Sequence, residues 1–206
     1  MRKLVLAMMT TLNGRLDDPL SWFVGIDDDL YGEIDRAYDA FDTVLVGRAT
    51  YEEMFAYWPA AETEEVGSEI NKSMARKINA YKKFVFSRGD EKEPLGWNNS
   101  ELVLAPTDED ITKFINGLKA QPGGDIHLAG GARLAQSLAR LGLIDEYHLF
   151  VHPVVSVGAA WFDQIEDKRD MDLLSATAYE HGVVGLYYLP KNTSNAPQPQ
   201  TFSDLL

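Results

Sequence analysis

The sequence predicts an α/β fold: a three-layer α-β-α sandwich on a mixed, mostly parallel sheet that finishes in an antiparallel hairpin. Three observations carry this. Short, nearly continuous apolar runs alternate with helical stretches, the alternation stops before Tyr147, and two strand-to-helix junctions carry glycine. Continuous apolar runs mark parallel strands covered on both faces, where neither row of side chains meets water. Strand-helix alternation then calls for right-handed crossovers.

Taken in order, the expected strands are Leu4–Met9, Thr43–Val46, Phe84–Phe86, Leu102–Leu104 and Ile126–Ala129. Helices are expected between them at 29–41, 50–57, 66–80, 108–119 and 132–141. After Tyr147–Val155 no helix of convincing length intervenes, and Ser175–Glu180 and Val183–Pro190 read as paired strands with His181-Gly182 as their tight turn. Residues 1–190 therefore form one domain. Residues 191–206 hold Pro, Asn, Gln and Ser with little to bury, and read as a flexible tail.

Composition narrows the function. The 206 residues are 45% hydrophobic and 11% aromatic, enough for one sizeable core. Nineteen basic against 32 acidic residues give a net charge of −13, which repels nucleic-acid backbones and anionic lipid. A phosphorylated ligand remains compatible, because local amides and a few cations can hold one. The chain has no cysteine, so disulfides, thiolate nucleophiles and thiolate-ligated metals are excluded. Met1–Thr10 lacks the length and cleavage site of a leader, no stretch approaches a membrane span, and cytoplasm is the expected address.

The chemistry points to two junctions. Asp42–Glu52 runs from a strand through Gly47-Arg48 into a helix, and Asp125–Leu134 runs from a strand through Gly130-Gly131 into another. At the carboxyl edge of a parallel sheet such turns aim helix N-terminal amides at a ligand. Glycine permits close backbone approach, and arginine adds a charge-assisted contact to phosphate. Two such turns in one domain suit a dinucleotide, although the G-x-G-x-x-G fingerprint is absent.

Their order and content resemble dihydrofolate reductase. Val46-Gly47-Arg48-Ala49-Thr50-Tyr51-Glu52 is similar to that family's Gly-Arg-x-Thr stretch, Phe84–Arg88 to its next strand, and Leu128–Ala132 to its Gly-Gly turn. Within the fold, Gly142–Tyr147, Val151–Val155, Gly158, Trp58-Pro59 and Gly182–Leu186 resemble the C-terminal reductase domain of the riboflavin-biosynthesis deaminase–reductase and its stand-alone relatives. The resemblance spans residues 1–190. It implies an NADPH-dependent reductase of a pyrimidine- or pterin-like heterocycle, and a homodimer. It also implies that Gly47, Arg48, Thr50, Gly130, Gly131 and Ala132 hold the cofactor's phosphates, with Ser87 and Arg88 beside the 2′-phosphate. Thr11, Asn13, Trp22 and Pro153 would then flank the substrate, and Asp27 or water would donate a proton, with Asn13 beside the nicotinamide. Two family carboxylates are replaced, at Asn13 and at Ala129. A true dihydrofolate reductase and a nucleotide-binding protein without catalysis are the alternatives.

Several of these residues carry a second reading. Asn13-Gly14 also reads as a plain turn, Trp22 as core, and Arg88 as the start of a solvated turn. Asp27-Asp28-Asp29 reads as a helix start more than a calcium loop, since the twelfth position is Tyr38 rather than Glu. His148 and His152 stand four residues apart on one strand face, about 13 Å, too far to share a metal. His127 reads as packed. No metal site is expected.

Overall fold

The computed structural model describes residues 1–16, 21–23, 28–63, 68–87, 95–158, 160–163, 165–166 and 168–191. Among the described residues the chain runs β1 (Leu4–Thr11), α1 (Asp28–Tyr38), β2 (Phe41–Gly47), α2 (Arg48–Ala61), α3 (Glu69–Ala80), β3 (Lys82–Ser87) and β4 (Ser100–Leu104). It continues with α4 (Asp108–Lys119), β5 (Asp125–Gly130), α5 (Ala132–Arg140), β6 (Glu146–His152), β7 (Met171–Ala178) and β8 (Val184–Pro190). One sheet takes the order β4-β3-β2-β5-β1-β6-β8-β7. The strands from β4 to β6 are mutually parallel, and β8 is antiparallel to both β6 and β7. This is the mixed sandwich that the sequence predicts, closed by a hairpin at His181-Gly182.

Boundaries move where backbone chemistry overrides the apolar pattern. Helix α1 stops at Tyr38 rather than 41, because Ala40 O accepts from Asp125 N and Phe41 enters the sheet. Helix α2 extends to Ala61 with Pro59 inside it. Helix α3 starts at Glu69 because Ser68 caps it, its side chain accepting from Asn71 N. Helix α4 spans 108–119 as expected, behind a capping box of Thr107 and Asp110. Strand β6 ends at His152 instead of Val155, since Pro153 brings no N–H to a ladder. Strand β7 begins at Met171, ahead of the expected Ser175; nearly every residue in it is exposed, so no burial alternation marked its start. The tail from 192 lies outside the described residues.

The alternating strand residues divide the core in two. Leu4, Leu6, Leu45, Ile126 and Leu128 pack against Ile111, Ile115 and Leu118 of α4 and Leu134, Ala135 and Leu138 of α5. On the other face Val5, Val44, Val46 and Val85 meet Tyr51 of α2 and Ile78 of α3. Beside them Leu30 and Ile34 of α1 pack with Met74, Phe150 and Val183. Three layers result, with α1, α2 and α3 on one side and α4 and α5 on the other.

His127 belongs to this interior. It is 3% exposed, stacks on Phe41 at 5.1 Å and lies 5.1 Å from the Tyr38 ring. Its Nε2 is 3.3 Å from Ala7 O, and a carbonyl can only accept, so Nε2 carries the proton. Burial pushes its pKa down to about 4 from an ordinary 6.5. The folded state therefore favours the neutral ring. Above pH ~6.5 both states are neutral and the contribution is complete; as pH falls towards about 4 the unfolded chain binds the proton first and stability is lost, on the order of 3 kcal/mol over the whole shift. Urea unfolding across that window should show a shallower loss for His127→Phe than for wild type. Equal losses would assign the acid sensitivity to other groups.

Candidate functional site

The carboxyl edge of the sheet is where backbone pairing gives way. Strands β1 and β5 are paired only at Leu4–Ile126, Val5–His127 and Leu6–Leu128. Beyond that, β1 continues beside β6 as far as Thr11 opposite His152. Strand β5 instead stays with β2, ending with Gly130 opposite Val46 after a register shift. The sheet thus opens between Ala7–Thr11 and Ala129–Gly130. In open α/β sheets, ligands enter at such a parting of strands.

Both predicted glycine turns stand on one lip of this opening. A Cβ on Gly131 would lie 2.7 Å from Thr50 Oγ1, and one on Gly47 would lie 3.5 Å from Gly131 N. Gly130 has φ of +113° and its Cβ would sit 3.0 Å from Met8 Cε. The Gly130-Gly131 peptide is cis. Gly47, Thr50, Gly130 and Gly131 are therefore brought together as expected, and Ala132 opens α5 beside them.

The helices that start here differ from the rest. Gly47 and Gly131 are the N-caps of α2 and α5; neither offers a side-chain cap, and neither helix has an acidic residue in its first turn. Helices α3 and α4 are capped by Ser68 and Thr107 and begin with acids, and α1 begins with Asp28 and Asp29. Two N-termini without a capping side chain or an opposing carboxylate direct their amides and positive dipole ends towards one opening.

The remaining expected residues divide. Arg48 is in place, but its Nε donates to Glu52 Oε1 at 2.7 Å and its guanidinium lies 5.9 Å from the Tyr51 ring centroid. Ser87 ends β3. Arg88 and Asp27 lie outside the described residues. Asn13-Gly14 does form a turn, with Gly14 N donating to Thr11 O. The Asn13 amide is engaged at both ends: Oδ1 accepts from Thr11 Oγ1 and Ser156 N, and Nδ2 donates to Ser156 O. It fastens the β1 loop to the loop after β6. Thr11 and Asn13 line a cavity of about 360 Å³ with Thr10, Leu149, Val151 and Trp161, on the α5 side of the sheet. Trp22 is elsewhere: 4% exposed, edge-on to His152. Pro153 is exposed and abuts Gly182 of the β7–β8 turn. The four expected substrate residues thus fall around β1 and β6 without forming one wall.

Sequence reasoning missed His152, which it weighed only as half of a metal pair. The signal available was its position, since it precedes the proline that ends β6. A larger groove of about 610 Å³ runs between α4 and β4, lined by Phe84, Val103, Leu104 and Phe114; it lies away from both glycine turns. Among the described residues, no three His, Asp or Glu side chains cluster to hold a metal, and no helix is long and apolar enough to cross a membrane.

Comparison with known proteins shows the family and the fold. The model of the RibD C-terminal domain matches residues 2–185. YyaP of Bacillus subtilis, a protein named as uncharacterized, is 30% identical over 191 residues, covering 91% of this chain and 94% of its own. Dihydrofolate reductase from Enterococcus faecalis, solved with NADP(H), superposes with a TM-score of 0.60 at 12% identity, over 92% of this chain and 97% of that one. A Thermotoga maritima diaminohydroxyphosphoribosylaminopyrimidine deaminase/5-amino-6-(5-phosphoribosylamino)uracil reductase gives 0.61 at 14%, over 92% of this chain and 57% of that longer one. The two structural likenesses establish the dihydrofolate reductase-like fold.

The crowding at the glycine lip is directly testable. Gly131→Ala should destabilise the protein by about 1–3 kcal/mol through overpacking against Thr50 Oγ1. Thr50→Ala in the same chain should restore part of that loss. Additive losses in the double-mutant cycle, read by urea unfolding, would show that the two residues do not meet.

Proposed function

The chain belongs to the RibD C-terminal domain family, and from that membership we propose that it is an NADPH-dependent reductase of a pyrimidine- or pterin-like heterocycle. One observation carries the reading: helices α2 and α5, which lack side-chain caps, begin at contacting glycine turns on the lip where β1 and β5 part. A pyrophosphate suits this place, because it can accept the N-terminal amides and complement both dipole ends. The glycines fit a closely approaching ligand, since a side chain at Gly131 would occupy the space in front of Thr50.

In this reading Gly47, Thr50, Gly130, Gly131 and Ala132 hold the phosphates. Arg48, with Ser87 and Arg88, provides for the 2′-phosphate, for which Arg48 exchanges or shares its partner Glu52. NADPH supplies the hydride when bound. The protein's own part is orientation: Asn13 and Ser156 fix the loop that borders the opening, and Thr11 is held by Asn13 and by Arg15 N. Because Asn13 Oδ1 accepts from both Thr11 Oγ1 and Ser156 N, its role is to position the loop rather than to move a proton. The uracil reductase activity in the name of the Thermotoga protein gives the substrate class to try first.

A homodimer is proposed on the same family ground. Edge strand β7 presents Leu173 and Leu174, 54% and 52% exposed, as apolar surface for a second copy. Sedimentation of wild type should give a dimer, and Leu173→Asp should weaken it; a wild-type monomer would remove the proposal.

Cofactor choice tests the site. Fluorescence titration should give tighter binding of NADPH than of NADH by about tenfold or more, the worth of one charged contact. Arg48→Ala and Arg88→Ala should each narrow the ratio, whereas Glu52→Gln should leave it or widen it by releasing Arg48. No preference in wild type, or none lost in either arginine variant, would rule out this placement of the 2′-phosphate.

A further inference from the structure

His152 is 0% exposed, and both of its ring nitrogens are buried without a hydrogen-bond partner among the described residues. The other buried histidines differ. His127 Nε2 serves Ala7 O, and His148 Nε2 is 2.7 Å from Glu146 Oε1. The polar side chains level with His152 are engaged with one another: Thr11, its partner across the ladder, is tied to Asn13 and Arg15. What covers the imidazole is aromatic. The Trp22 ring stands edge-on at 5.5 Å and the Phe23 ring lies 5.1 Å away, and Phe23 is 36% exposed. An imidazole walled by two rings and denied both partners is a liability in a core, because burying an unpaired polar group opposes folding and an apolar residue would pack there at no such cost. Retaining it makes sense where a ligand supplies the missing partner.

We propose that His152 is a substrate-recognition residue, whose imidazole hydrogen-bonds one ring carbonyl or ring nitrogen of the bound heterocycle on the side that Trp22 and Phe23 cover. This rests on the reductase reading above and names the residue that reads the substrate. The position fits: His152 ends β6 opposite Thr11, at the carboxyl edge and one strand from the opening between β1 and β5. Burial lowers its pKa, so the ring is neutral and offers one N–H donor and one lone pair. A site built to pair with a heteroatom also rejects analogues that lack it, because the imidazole is then left unpaired.

The test combines stability with kinetics in the full chain. His152→Leu and His152→Phe should keep or raise Tm, since each removes an unpaired polar group. With NADPH and 5-amino-6-(5-phosphoribosylamino)uracil as probe, both should lose at least about tenfold in kcat/KM, while NADPH binding is unchanged. His152→Gln, which keeps a donor and an acceptor, should retain more activity than either. A fall in Tm of more than about 5 °C in both apolar variants would make the imidazole structural and overturn the proposal; so would unchanged kcat/KM in His152→Leu. If wild type binds NADPH but leaves the probe unreduced, the substrate reading fails separately. The Tm of the apolar variants then still decides His152, a rise supporting it and a fall removing it.

Discussion

Two neighbouring strands of a parallel sheet that part must each keep a ladder with another partner, and the architecture of this protein follows from how it meets that constraint. Strands β1 and β5 hold together for three residues and then take different partners, β6 and β2. Each keeps a ladder on its outer side. At the parting, the His127 ring donates to Ala7 O, giving that carbonyl a side-chain partner where the β1–β5 pairing ends.

The two edges of the sheet are built on opposite principles. At the amino edge, buried cations close the structure against backbone carbonyls and acids. Arg2 binds Asp42, Thr43 and Gly124 O; Lys119 Nζ donates to Leu143 O and pairs with Asp145. Lys83 Nζ donates to the carbonyls of Asn79, Tyr81 and Asn98 and lies 4.4 Å from the Trp97 ring centroid. Charges removed from water are tolerable only when paired in this way. The carboxyl edge does the reverse, leaving the α2 and α5 N-termini without side-chain caps. Side-chain charge is engaged at one edge, while backbone amides are left without side-chain caps at the other.

Legibility in the sequence followed the same division. The glycine turns were readable because few residue types allow a backbone to come that close and because two of them follow strands and open helices in one domain. Helix α4 was readable to the residue because Thr107 and Asp110 cap it locally. Strand β7 was misplaced because its exposed side chains leave no periodic trace, and α1 was overrun because its end depends on a hydrogen bond to Asp125, far along the chain. The substrate side was the least legible. Asn13 fits a turn and a pocket equally well in sequence, and only its bonds to Ser156 distinguish them.

The sequence by itself determined the fold class, the order of the elements, the absence of thiol chemistry and the two glycine junctions, since each depends on local propensity, period or composition. The tertiary structure alone decided that those junctions touch, that the sheet parts between β1 and β5, and that Glu52 holds Arg48. It also decided that His152 is enclosed by Trp22 and Phe23, about 130 residues earlier in the chain. Burial and the supply of hydrogen-bond partners are properties of residues distant in sequence brought together by packing, and a side chain's own neighbours along the chain carry no record of them.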